Sequence, residues 1–205
     1  GQVRDLRSST IGAIVAARRE RPFVDLADLL QRVALQNKEA VHLIRCGALD
    51  GLGPSRAGLL ADLARYERGG LAQMGFAFLA DETPPEMAAE RLAWEEQLLG
   101  QPVSVHPLSA LARPYAGRTV SGLLGQVAAG EVRRNGPAVK VAGARLPGWT
   151  GGAGFLLGDD HNYLVAVGPR GQRPPPAWQA VELLGRWHVD EWGGAVLQFD
   201  TLLVL

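Results

Sequence analysis

The sequence predicts an α+β chain of two domains, a helical module followed by a five-stranded β-barrel. Three observations carry this. Apolar residues before position 70 recur at helical spacing. After about Val132 that spacing vanishes, and short apolar runs alternate with glycine turns. Between the two lies a proline-punctuated stretch with one amphipathic segment. The expected organisation is a helical module over 1–70, a linker over 71–131 with a helix at 84–99, and a barrel over 132–205.

Four short helices fill the first 70 residues. Ser8–Thr10 can cap the first, Ile11, Ile14 and Val15 share a face, and Pro22 ends it. Asp25 can cap a second, with Leu26, Leu29, Leu30 and Val33 on one stripe. A third runs from about Asn37 to Cys46 and stops at Gly47. The fourth runs from Pro54 to about Arg68 and stops at Gly69-Gly70. In the linker, Thr83-Pro84-Pro85-Glu86 has the form of a capping box, with threonine as cap and glutamate three residues on. Glu95-Glu96 read as a solvated face of that helix. The expected strands are Val139–Leu146, Gly154–Leu157, Tyr163–Val167, Ala180–Val189 and Ala195–Leu205. Five strands with turn signals between them fit a small OB-like barrel.

The most informative stretch is Leu49–Leu60, LDGLGPSRAGLL. Two glycines bracket Leu52, and a helix start follows. Glycine accepts positive φ and lets an anion approach the backbone. The next helix presents unpaired N–H groups and its positive dipole end. This is the hairpin of a helix-hairpin-helix element, and it predicts contact with a DNA phosphate through Gly51, Gly53, Ser55 and Arg56. Arg4-Asp5-Leu6-Arg7-Ser8 sits like an earlier hairpin without its glycines. There Asp5 would repel a phosphate, while Arg4 and Arg7 can reach one from the edge. In the barrel, Phe155, Tyr163, Trp187 and Phe199 are the aromatics that could stack single-stranded bases. Aromatics in strands also serve as core, and a neutral barrel lacks the positive groove that strand binding favours.

Composition narrows the function classes. Lys+Arg and Asp+Glu are both 21, so the chain is not globally basic. Residues 1–70 hold 11 basic and 8 acidic side chains, so the mild positive excess lies with the hairpins. The single cysteine, Cys46, excludes a disulfide framework and points to a reducing cytosol. No apolar run is long enough to span a bilayer. His42, His106, His161 and His188 show no metal-ligand spacing, and no nucleophile elbow or phosphate-cradling loop is present. No catalytic residue, metal ligand or cofactor is therefore expected within these residues. Gly1, without a preceding methionine, reads as the interior of a longer chain.

These strings resemble the C-terminal region of the bacterial DNA polymerase III alpha subunit family, the C-family polymerases. Arg21-Pro22-Phe23-Val24-Asp25-Leu26-Ala27-Asp28-Leu29-Leu30-Gln31-Arg32-Val33 is similar to the family's "PF-x-s-L-x-D-f-x-R-v". Leu43–Gly53 is similar to "LI-x-AGA-f-D-x-LG". Glu95–Gly100 with His106-Pro107-Leu108 is similar to "E-x-LG-x-x-x-S-x-HPL". The departures, Asp5-Leu6-Arg7 and the short segment between Tyr163 and Ala180, suit a diverged or error-prone paralogue. The resemblance implies a non-catalytic, cytoplasmic, nucleoid-associated module that grips duplex DNA, with an OB barrel near the single-stranded template. Mg2+ and the catalytic aspartates belong to a palm domain that nothing in this chain matches. Gln73, Met74, Phe76 and Phe78 resemble the short peptides that bacterial polymerases insert into the sliding clamp. The alternative expectation is an interaction scaffold for the clamp or other replisome or mutasome proteins, with architectural hairpins.

Overall fold

In the computed structural model, residues 3–69, 86–148, 150, 154–189 and 194–205 are described. The chain divides into two compact units, Gly1–Ser104 and Val105–Leu205. The division falls at Ser104 rather than near 131, where composition alone changes.

The first unit contains α1 (Ser8–Glu20), α2 (Leu26–Arg32), α3 (Asn37–Arg45), α4 (Arg56–Gly69) and α5 (Ala88–Leu99). Asp25 caps α2, accepting from the Asp28 N–H at 2.7 Å. Leu26, Leu29, Ile44 and Leu59 are almost wholly buried in one core shared by α1 to α4. The expected capping box at Thr83–Glu86 is displaced. Helix α5 opens at Ala88, and the Glu90 carboxylate accepts from the Met87 N–H at 3.0 Å. Thr83 lies outside the described residues. The Glu86 carboxylate instead accepts from the Ala57 N–H of α4 at 3.2 Å.

The second unit holds β1 (Val139–Leu146), β2 (Gly154–Gly158), β3 (Tyr163–Val167), β4 (Ala180–Val189) and β5 (Ala195–Val204). They close in the order β1-β2-β3-β5-β4, with β3 and β5 parallel and the other pairs antiparallel. That is an OB-type barrel. The sequence reading missed one helix, α6 (Val120–Ala128), which precedes β1 and is capped by Thr119. Val120 and Leu123 of α6 are fully buried among Phe155, Leu157 and Phe199. Segment 168–179, between β3 and β4, contains no helix. A helix before β1 therefore packs into this barrel's core. Asp159, in the β2–β3 turn, ties the two together. Its carboxylate accepts from the Ser121 hydroxyl at 2.7 Å and from the Asn162 N–H of its own turn at 2.9 Å.

Candidate nucleic-acid interface

The Leu49–Leu60 hairpin joins α3 to α4. Gly51 lies at its tip, exposed, with φ +96° and open space where a Cβ would stand. Gly53 is there for a different reason. A Cβ on it would meet the buried Leu59 side chain at 2.7 Å. Leu52 packs against the helical core, as its place between the glycines predicts. Among the described residues, no protein group accepts from the N–H of Gly51, Gly53 or Ser55.

Helix α4 starts at Arg56, two residues later than expected, and Ser55 is its cap. The Ser55 hydroxyl accepts from the Gly58 N–H at 3.0 Å. The next amide, Ala57 N–H, is also occupied: the Glu86 carboxylate accepts from it at 3.2 Å.

Arg56 does not face a phosphate. It was expected to lend charge to a phosphate, but its side chain is only 2% exposed. Its guanidinium donates to the carboxylates of Asp50 at 2.8 Å and Glu95 at 2.9 Å, and to the Arg45 carbonyl at 3.0 Å. Arg56 therefore staples the hairpin from inside, linking the end of α3, the turn and α5. Gly47 makes room for it: its φ is +79°, and a Cβ there would lie 2.2 Å from the guanidinium. Glu95 likewise does not belong to a solvated face. It is fully buried and accepts from the N–H groups of Val103 at 2.6 Å and Ser104 at 2.9 Å. Burial pushes the Glu95 carboxyl up, but bonds from Ser104, Val103 and Arg56 outweigh this and hold it below the usual range.

The first hairpin repeats this plan with other residues. Asp5 has φ +58°, the left-handed conformation that Gly51 also adopts. Short polar side chains tolerate it best after glycine. Its carboxylate is paired with Lys38 at 2.7 Å, which offsets the repulsion its sequence suggests. Leu6 packs on the same core as Leu52. Thr10, three residues after Arg7 as Arg56 is three after Gly53, is buried and donates to the buried Glu39 at 2.8 Å. Each hairpin thus anchors its second helix through a buried polar residue and a buried glutamate. Arg7 is half-exposed, but its guanidinium is held on Glu39 at 2.7 Å. Arg4 is exposed, and no group among the described residues pairs with its guanidinium.

These carboxylates make stability acid-sensitive. The Arg7 guanidinium, with the Gln36 and Arg7 N–H groups and Thr10, holds Glu39 far below its ordinary 4.5 against the opposing pull of burial. For Asp159, burial pushes up, but bonds from Ser121, Asn162 and His161 push it far down. A depressed folded pKa stabilises above the unfolded value and loses that contribution as pH falls. Melting temperature is therefore expected to drop as pH falls below about 4.5. Glu39→Gln should flatten that slope, which thermal melts at pH 6 and pH 3 would measure.

Three of the four barrel aromatics are corrected as well. Phe155, Trp187 and Phe199 are buried, and the two phenylalanine rings meet edge-on at 5.7 Å. Stacking a base gains about 1–3 kcal/mol. Bringing a buried phenylalanine to the surface costs about 1.5–3 kcal/mol, so nothing is gained. Tyr163 alone is exposed, at 66%. Val165 and Val167 alternate with inward residues on its strand and pair with Leu156 and Gly154, so this face of β2 and β3 carries no cation.

The clamp-like residues Gln73, Met74, Phe76 and Phe78 lie outside the described residues. Among the described residues, no group of three or more His, Cys, Asp or Glu could hold a metal, and no helix is long and apolar enough to cross a membrane. Cys46 is buried, and burial pushes its thiol up.

Paired left-handed turns on one helical core define a helix-hairpin-helix module, here in a chain that also carries an OB-type barrel. A profile described as "Helix-hairpin-helix motif" matches residues 1–59. Similar curated proteins are error-prone DNA polymerases. That of Xanthomonas campestris pv. campestris (strain B100) is 31% identical over 171 residues, covering 81% of this chain and 15% of the relative. That of Pseudomonas syringae pv. tomato (strain ATCC BAA-871 / DC3000) is 31% identical over 173 residues, covering 80% and 16%. By sequence the chain belongs with the C-terminal region of the C-family DNA polymerases of error-prone type, and it spans only about a sixth of those relatives' length. Among solved structures, the hypothetical protein ygiW from E. coli matches at TM-score 0.33 and 11% identity, covering 45% of this chain and 94% of that one, too distant to bear on function.

Proposed function

We propose that the chain is a non-catalytic DNA-binding module of an error-prone polymerase, holding duplex backbone without regard to sequence through its hairpins. The observation that carries this is the exposed Gly51 turn, whose N–H groups at Gly51, Gly53 and Ser55 have no acceptor among the described residues. Backbone amides around a left-handed turn form a concavity suited to an anion. Arg4, exposed and unpaired, supplies charge beside the first hairpin. Arg7 shares its charge with Glu39, and Arg56 serves from within. Phosphate contact of this kind fixes position and carries no base information.

Gly51→Asp tests the reading cleanly. Aspartate tolerates positive φ, as Asp5 does in the first hairpin, so the fold is kept while a negative charge enters the turn. Duplex affinity in low-salt titration should fall several-fold, and Gly51→Asn should fall less. Unchanged affinity for Gly51→Asp would remove the turn from the DNA site.

Of the four predicted barrel aromatics, Tyr163 is the one left exposed for a base to stack on. The cation-free face around it favours the second reading, in which the barrel docks a replisome or mutasome protein such as the sliding clamp. Clamp capture that survives Gln73→Ala but fails with Tyr163→Ala would support docking through the barrel.

A further inference from the structure

Helix α4 begins where a phosphate bound to the second hairpin would gain most, since its first-turn amides point out along the positive end of its dipole. In this chain those amides are not vacant. The Ser55 hydroxyl takes the Gly58 N–H, and the Glu86 carboxylate takes the Ala57 N–H at 3.2 Å. The Glu86 side chain is only 8% exposed, and the Arg91 guanidinium stands 3.8 Å from its other oxygen. A carboxylate buried against a helix start, with a cation behind it, makes the kind of contact with a helix amide that a phosphate oxygen makes. Its position also explains the displaced start of α5. Glu86 faces α4, so Glu90 supplies the cap of its own helix.

We infer that Glu86 is an internal competitor for DNA phosphate, which holds the second hairpin in a weak-binding state until a phosphate displaces its carboxylate from α4. The inference rests on the hairpin reading above. At the first hairpin Glu39 accepts from the Arg7 N–H at 3.1 Å, but no carboxylate accepts from the N–H groups of Ser8, Ser9 or Thr10 in the first turn of α1 among the described residues. Duplex contact by α4 then requires Glu86 to yield, and any contact that draws Glu86 away raises affinity.

The test titrates a fluorescent duplex with the chain and its variants at low salt. Glu86→Gln should bind about two- to fivefold tighter than the parent, the range expected from freeing a helix start of one resident charge. Glu90→Gln removes an exposed charge from the start of α5 without touching α4, and should change binding less. In amide spectra, added duplex should shift Ala57 more in Glu86→Gln than in the parent. The inference is overturned if Glu86→Gln binds no tighter than Glu90→Gln, or if Ala57 already shifts as strongly in the parent. If Gly51→Asp weakens binding while Glu86→Gln leaves it unchanged, the hairpin reading stands and only the competitor falls. If Gly51→Asp also leaves binding unchanged, both fall.

Discussion

Replacing Glu95 by alanine is expected to cost the helical unit about 3 kcal/mol or more. Removing one partner of a buried ion pair leaves the other charged and dry. Here the loss is wider than one pair. The Glu95 carboxylate also receives the N–H groups of Val103 and Ser104, which would be left without their acceptor. Asp50 keeps Arg56 partly compensated at 2.8 Å, which places the cost toward the lower end of the 3–5 kcal/mol typical of such removals. Glu95→Gln keeps the shape but only one acceptor oxygen, and its NH2 would face either the Arg56 guanidinium or the Val103 and Ser104 N–H groups, so it should cost nearly as much. Urea melts of the three proteins would measure this. An alanine variant that melts within about 1 kcal/mol of the parent would show that the network holds little.

The same residue marks what the sequence could and could not disclose. Apolar spacing located α2 to α4 to within two residues, because each buries a stripe that local periodicity reveals. It located α1 as well, although Arg7, without a side-chain cap, stands at its cap position instead of Ser8–Thr10, and Thr10 and Ala17 are its buried residues. The five strands were legible for the same reason, bounded by glycine turns. Helix α6 was missed although Val120, Leu123, Leu124 and Val127 follow helical spacing and pack on the barrel core, because Gly122 and Gly125 within so short a run argue against a helix. The hairpin tip at Gly51 was read correctly as a positive-φ glycine. The roles of Arg56, Glu95 and Glu86 were hidden because charge suggests solvent, and only tertiary contacts bring Glu95 and Glu86 to α4. For Asp5 its charge drew notice, whereas its tolerance of φ +58° is what the turn uses. Phe155, Trp187 and Phe199 lie on the inner face of a closed barrel, and alternation along a strand cannot by itself say which face is inner.

Gly185→Val is expected to destabilise the barrel by about 3 kcal/mol, the upper end of what overpacking costs. Gly185 follows a register shift where β4 passes β5. A Cβ there would lie 2.4 Å from the Gln198 carbonyl oxygen and 2.7 Å from the Phe199 Cα. Both are backbone atoms of the neighbouring strand, so no rotamer change relieves the clash. The strands must part, and Phe199 would move off Phe155, loosening the core they share with α6. Gly125, on the exposed side of α6, is the contrast. No atom lies within 4 Å of where its Cβ would be, and Gly125→Ala should stabilise by about 0.8–1 kcal/mol through helix propensity alone. Thermal melts followed by near-ultraviolet tryptophan signal, with Trp187 in the barrel core, would report both. Opposite signs for the two substitutions would support strand approach at Gly185, and equal signs would refute it.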